Sequence, residues 1–228
     1  ASWSRGLGDV YKRQVIMCTK KGQVKKTSLE QYSRPRSNGI NAITIKEDDE
    51  LLEAKLTNGN SQILIAVKSG KCIRFEENKT RPMGRNASGV RGVRLKDQKD
   101  EVVGMISVND MDSDILVVSE NGYGKRSKLE DYRITNRGGK GVKTISITEK
   151  TGNLVSLKNV SDGDDLMIIN KSGIAIRMEV NTLRVMGRAT QGVRLINIKD
   201  NDSIAAVAKV VLDDQEVTDI EEIDVVED

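Results

Sequence analysis

The stretch Ile115-Leu-Val-Val-Ser-Glu-Asn-Gly-Tyr-Gly-Lys-Arg126 holds the pattern that decides the fold: four apolar residues, a glycine seven positions after the first of them, and a cation four positions after the glycine. A short apolar run, a tight turn and a second extended run read as a β-hairpin, with glycine supplying the positive φ the turn needs. The same pattern recurs at Val15-Ile16-Met17-Cys18 with Gly22, at Ile63-Leu64-Ile65-Ala66 with Gly70, and at Leu166-Met167-Ile168-Ile169 with Gly173. Successive glycines are 48, 52 and 51 residues apart, and the offset from strand to glycine does not vary. Self-similarity at such a period marks a repeat architecture.

A second glycine follows 19 residues after the first, at Gly89, Gly141 and Gly192, and 17 after it at Gly39 in the first copy. Arg85, Arg137 and Arg188 stand four residues before it, and Arg91, Lys143 and Arg194 two after it. The first copy departs here: it reads Ser33-Arg-Pro-Arg36-Ser-Asn-Gly39, with Asn41 where the following base would be. Two apolar-alternating segments then follow in each copy, as at 41–46 with 51–57 and at 92–96 with 102–108. Four short strands per unit of this period predict an all-β chain of four propeller blades, over 15–62, 63–114, 115–165 and 166–211. A two-sheet antiparallel sandwich is the alternative, but it does not require the repetition.

Composition narrows the chemistry. Aromatic residues make up 3% and charged residues 31% of the 228, so the expected core is aliphatic. No stretch approaches the roughly 18 apolar residues of a membrane helix, and the N-terminus lacks a secretory apolar run, so the chain reads as cytoplasmic, without a membrane partner. Cys18 and Cys72 sit among apolar strand residues and read as buried, reduced thiols. The absence of histidine excludes Ser-His-Asp and Cys-His catalysis. Gly122-Tyr-Gly-Lys-Arg-Ser127 and Arg137-Gly-Gly-Lys-Gly141 lack phosphate-loop spacing. Asp110, Asp112 and Asp114 alternate like calcium ligands, but Ile115 stands where the loop glycine belongs.

The net charge of +3 conceals an asymmetry. Residues 213–228 hold nine acids and no base, and without them the +3 becomes +12. The acidic segment 212–228 reads as a disordered tail, and the basic body points to a polyanion. Four residues past each hairpin glycine lies a cation, Lys26, Arg74, Arg126 or Arg177, and the loop arginines and the bases after the second glycine repeat likewise. Charges at one address per blade could track a phosphate backbone around a rim, with Lys25, Lys125, Lys140 and Arg36 adding to them. Exposed hairpins also carry such bases for solubility and edge protection, which is the competing reading for any one lysine. With no recognition helix and few aromatics for stacking, duplex DNA read without sequence preference is the expected ligand.

The segments Ser119-Glu-Asn-Gly-Tyr-Gly-Lys-Arg126, Asn136-Arg-Gly-Gly-Lys-Gly-Val142, Met186-Gly-Arg-Ala-Thr-Gln-Gly-Val-Arg194 and Gly22-Gln-Val-Lys-Lys-Thr27 resemble the C-terminal domain of the DNA gyrase A subunit, in register over 15–211 and most like its counterparts in Gram-positive bacteria. The resemblance implies a six-bladed β-pinwheel of which these are the last four blades. It also implies a role in wrapping DNA so that the A2B2 holoenzyme, with the gyrase B subunit and the upstream part of the A subunit, introduces negative supercoils. ATP and magnesium would be bound elsewhere, with no cofactor in this fragment, no catalytic residue of its own and a nucleoid-associated location. The family's first-blade heptapeptide, Q-R-R-G-G-K-G, is absent; Thr135-Asn-Arg-Gly-Gly-Lys-Gly141 resembles it in a later blade. The C-terminal domain of the topoisomerase IV A subunit is the nearest alternative, and a propeller for protein interaction, with mixed rim charge, is another. Residues 1–14 fit neither repeat nor family and read as a non-native segment, Asp9-Val-Tyr-Lys-Arg-Gln14 resembling translated adapter sequence.

Overall fold

The computed structural model describes residues 13–199 and 202–211; residues 1–12 and the acidic tail 212–228 lie outside the described residues. The first repeat forms β1 (Gln14–Thr19), β2 (Gln23–Ser28) and β3 (Leu51–Thr57). The second forms β4 (Gln62–Val67), β5 (Lys71–Glu76), β6 (Val90–Arg91) and β7 (Val102–Val108). The third forms β8 (Asp114–Ser119), β9 (Tyr123–Lys128), β10 (Val142–Lys143) and β11 (Leu154–Val160), and the fourth β12 (Asp164–Asn170), β13 (Ala175–Glu179), β14 (Val193–Arg194) and β15 (Ile204–Val211). A short 3-10 turn follows the second strand of each repeat, at Leu29–Tyr32, Glu77–Lys79, Leu129–Asp131 and Val180–Thr182. The hairpin glycines have φ between 78° and 86°, as the turn reading requires.

Strand order departs from the simplest reading of the repeat. The sheets run β3-β1-β2-β6, β7-β4-β5-β10, β11-β8-β9-β14 and β15-β12-β13. The two-residue strand of each repeat therefore joins the sheet of the repeat before it: β6 pairs with β2, β10 with β5, β14 with β9. A blade is three strands of one repeat closed by a strand of the next, not four strands of one repeat. The segment 41–46 forms no strand, since among the described residues no preceding second strand offers it an edge; 92–96 forms none either, because the pairing residues are Val90–Arg91 just before it and Gly92 N then turns onto the Gly22 carbonyl (2.8 Å).

The sheets stack face to face around three aliphatic cores. Ile63, Ile65 and Val67 of β4 pack with Ile16, Cys18 and Val24, while Leu64 and Ala66 on the opposite face pack with Ile115, Val117 and Leu157. Leu116 and Val118 in turn meet Leu166, Ile168 and Ile196. Burial on both faces explains why these first strands read as unbroken apolar runs rather than alternating ones. Cys18 and Cys72 lie buried in these cores, and burial raises both thiols, Cys72 to about 12. Asp114 faces inward to Arg126 (3.6 Å) and Lys128 (3.0 Å), not out toward a cation with Asp110 and Asp112.

Candidate nucleic-acid interface

The most regular cationic column is not on the surface. Lys26, Arg74 and Arg126 are 3%, 8% and 8% exposed, because the 3-10 turn of the next repeat lies over each. Lys26 Nζ donates to the Glu77 carbonyl at 3.2 Å and stands 3.6 Å from the Glu77 carboxylate. Arg74 Nη1 donates to the Leu129 and Tyr132 carbonyls at 2.6 and 2.9 Å, and its Nε to Gln62 Oε1 at 2.7 Å. Arg126 donates to the Leu183 carbonyl and pairs with Asp114 and Asp162. Their charge is taken up by turn carbonyls, so these three residues fasten repeat to repeat and are withdrawn from the expected phosphate contacts. Arg177 has no described turn above it and is exposed, with Nε 2.6 Å from Asp165 Oδ2.

Lys25 and Lys125 are also buried, each pointing from the opposite face of the strand into the loop of the next repeat. Lys25 Nζ donates to the Arg85 and Ala42 carbonyls, and Lys125 Nζ to the Gly187 carbonyl (2.6 Å) and Thr190 Oγ1 (3.1 Å). Desolvation lowers both ammonium groups, Lys125 to about 8. They too leave the expected contact set, since a phosphate cannot reach an ammonium already enclosed by loop carbonyls.

The loop arginines are half-exposed and run a relay. Arg85 donates to the Asn41 carbonyl (3.1 Å), Arg137 to that of Arg91 (3.1 Å) and Arg188 to that of Lys143 (2.9 Å). Each acceptor lies two residues past the second glycine of the previous repeat, so successive loops are tied end to end along the outer edge. Backbone contacts continue the chain, from Thr44 N to the Ala87 carbonyl, Arg94 N to Gly139 and Ser146 N to Thr190. A half-exposed guanidinium so oriented keeps N–H groups free for a phosphate.

Arg91, Lys143 and Arg194, at the ends of the two-residue strands β6, β10 and β14, are exposed, as are Lys140 and Arg36 on the loops. Arg194 is the most ordered: Nη2 donates to Tyr123 Oη at 2.9 Å, its guanidinium lies 5.4 Å from the ring centroid, and Nη1 donates to Asn197 Oδ1. The hydrogen bond from Arg194, and then its charge and that of Lys150, lower the Tyr123 hydroxyl. A further column escaped the sequence reading. Arg34, Arg81, Arg133 and Arg184 all stand two residues past the end of a 3-10 turn, all are exposed, and among the described residues none makes a side-chain hydrogen bond or ion pair. Their signal lies in the sequence, eleven residues past the hairpin glycine in three copies and twelve in the first, just before the loop of the second glycine. Pro82, next to Arg81, lies opposite Lys26, and Arg91 opposite Gln23, three residues along β2. The two exposed rows thus run along the same edge about 10 Å apart.

The family model described as DNA gyrase C-terminal domain, beta-propeller, matches residues 13–58, 62–109, 113–161 and 164–210. The DNA gyrase A subunit of Staphylococcus aureus strain MRSA252 is 46% identical over 216 residues, 94% of this chain and 24% of that protein; that of strain NCTC 8325 is 46% identical over 210 residues, 91% and 23%. The chain thus spans about a quarter of the length of these relatives. Among solved structures, the C-terminal domain of DNA topoisomerase IV superposes with a TM-score of 0.83 at 24% identity, covering 88% of this chain and 62% of that one. The DNA gyrase A C-terminal domain does so with a TM-score of 0.78 at 25% identity, covering 88% and 67%.

Proposed function

This chain belongs to the DNA gyrase C-terminal domain family, and from that premise we propose that it binds duplex DNA along the outer edge of its blades and bends it there. The observation that carries the reading is the pair of exposed rows, Arg34, Arg81, Arg133 and Arg184 beside Arg91, Lys143 and Arg194, at one address per repeat. Smooth bending of a 20 to 30 base-pair site by 40 to 90° costs of order 1 to 6 kcal/mol, which several counterion-releasing contacts offset. Lys140, Arg36, Arg177 and the half-exposed Arg85, Arg137 and Arg188 add to the rows.

Within the whole protein the wrapped segment would set the hand of strand passage by a type II topoisomerase, with the upstream part of the A subunit and the gyrase B subunit as partners in an A2B2 assembly. ATP and magnesium would be bound by those parts, in the bacterial cytoplasm, and this chain would supply no catalytic residue. Among the described residues no helix is long and apolar enough to cross a membrane. The corresponding role in topoisomerase IV is the second reading, favoured by fold similarity alone; 46% identity to the gyrase A subunit places gyrase first.

The test is binding to a duplex of about 40 base pairs across a salt series. Replacing Arg34, Arg81, Arg133 and Arg184 with Ala should weaken binding and reduce the salt slope by about 3 to 4. An unchanged slope would remove this row from the DNA path, and no binding at low salt by the folded chain would overturn the proposal.

A further inference from the structure

The exposed arginine past the 3-10 turn is followed in every repeat by an apolar residue: Arg34-Pro35, Arg81-Pro82, Arg133-Ile134 and Arg184-Val185. All four apolar residues are exposed, Ile134 at 48% and Val185 at 40%. Other large apolar side chains exposed to this degree have a local reason. Ile45, Leu51 and Leu56 belong to the first repeat, which no described repeat precedes, Ile174 leads into β13, whose outer edge is unpaired among the described residues, and Met111 Sδ lies 3.8 Å from Arg74 Nη2. Ile134 and Val185 stand at filled junctions and are exposed all the same.

Each pair is held from beneath by a buried cation. Arg133-Ile134 lies between the Tyr132 carbonyl, which accepts from Arg74 Nη1 (2.9 Å), and Thr135 N, which donates to the Arg74 carbonyl (2.9 Å). Arg184-Val185 lies likewise between the Leu183 carbonyl, which accepts from Arg126 Nε, and Met186 N, which donates to the Arg126 carbonyl (2.9 Å). Ile134 and Val185 bridge Arg74 and Arg126 as parallel strand partners, and Pro82 bridges Lys26 in the same way. In such an extended segment successive side chains point to opposite sides, so each pair forms a ridge with a guanidinium on one flank and hydrocarbon on the other. The hydrocarbon is stiff, a proline ring or a β-branched side chain, and loses little freedom when covered.

We propose that Pro82, Ile134 and Val185 pack on the deoxyribose of the strand whose phosphates the neighbouring arginines hold, and that this contact favours DNA over RNA. The proposal rests on the DNA-binding reading above and adds to it a contact that carries no charge. Sugar follows phosphate along a strand as hydrocarbon follows cation across each ridge, and a duplex bent over this edge presses its sugar faces onto it. Phosphates are common to both nucleic acids, whereas the 2′-hydroxyl belongs to RNA alone; set against branched hydrocarbon, that hydroxyl gives up water without gaining a partner. A need for extended backbone alone would be met equally by threonine, which is β-branched but carries a hydroxyl.

The test replaces Ile134 and Val185 together with Thr in the 228-residue chain and measures binding to a DNA duplex of about 40 base pairs, and to an RNA duplex of the same sequence, across a salt series. The variant should keep the parent Tm, bind DNA about tenfold more weakly at every salt concentration with the salt slope unchanged, and lose less on RNA. Ile134→Val with Val185→Ile should bind DNA as the parent does. Unchanged DNA affinity in the Thr variant would mean that the two residues serve only the backbone and would overturn the proposal, as would a loss accompanied by a reduced salt slope or by a fall in Tm. An equal loss on RNA would overturn the preference for deoxyribose. The arginine row is judged by its own salt slope, so the wrapping reading survives each of these results; no binding of the parent chain to DNA at low salt would overturn both.

Discussion

β9 and β13 are the same strand of the repeat in two surroundings. β9 is covered by β14 and by the turn of the fourth repeat, and its burial is nearly continuous; β13 has no such cover among the described residues and alternates between exposed and half-buried. Arg126 and Arg177 hold the same address in the repeat, yet the first is a buried clasp with 9% of its side chain exposed and the second a surface ion pair with 51% exposed. A cation at this position is thus defined by what lies over it: beneath a turn, its hydrogen bonds hold two repeats together, and without the turn it is a solvated charge.

The largest effect should come from cutting the clasp. Arg126→Ala leaves the Leu183 carbonyl without its donor and Asp114 with Lys128 alone, and should cost about 2 to 3 kcal/mol in chemical denaturation, whereas Arg177→Ala should cost under about 1 kcal/mol. Equal losses would mean that the covering turn contributes little. Next in size is the hairpin glycine. Gly122→Ala would put a Cβ 2.7 Å from the Ile196 carbonyl at φ 78°, so steric displacement adds to backbone strain; Gly173→Ala meets only the strain, about 1 kcal/mol. A Tm loss for Gly122→Ala at least twice that for Gly173→Ala is expected.

The smallest effect is a pH dependence. Burial holds Lys125 at about 8 in the folded chain, below its ordinary value of 10.5. Between those values the unfolded chain binds more protons, so stability rises with pH across that window and is reduced below about pH 8. Lys125→Met should flatten that rise in denaturation curves taken from pH 7.5 to 10.5, while changes at Arg177 should leave it in place.

Legibility differed between hairpins and junctions. The hairpins are local: the glycine offset and the apolar runs specify each of them within about 14 residues, and all four formed. The junctions are not local. Val90–Arg91 pairs with β2 rather than with its own repeat because an edge strand bonds whichever edge is beside it, and the spacing of glycines is the same for either partner. The same gap misdirected the site reading. Lys26, Arg74 and Arg126 read as peripheral because lysine and arginine are usually exposed, while the exposed Arg81, Arg133 and Arg184 lie just before a loop whose own arginine holds a fixed distance from the second glycine.

The sequence by itself determined the number of repeats, the place of every hairpin, the aliphatic character of the core and the basic character of the body, because these follow from local spacing and composition. Only the tertiary structure decided which cations fasten repeats and which face solvent. A side chain's exposure depends on a segment some 50 to 60 residues further along the chain, and for Lys26, Arg74 and Arg126 that segment supplies the carbonyls that make burial of a charge tolerable.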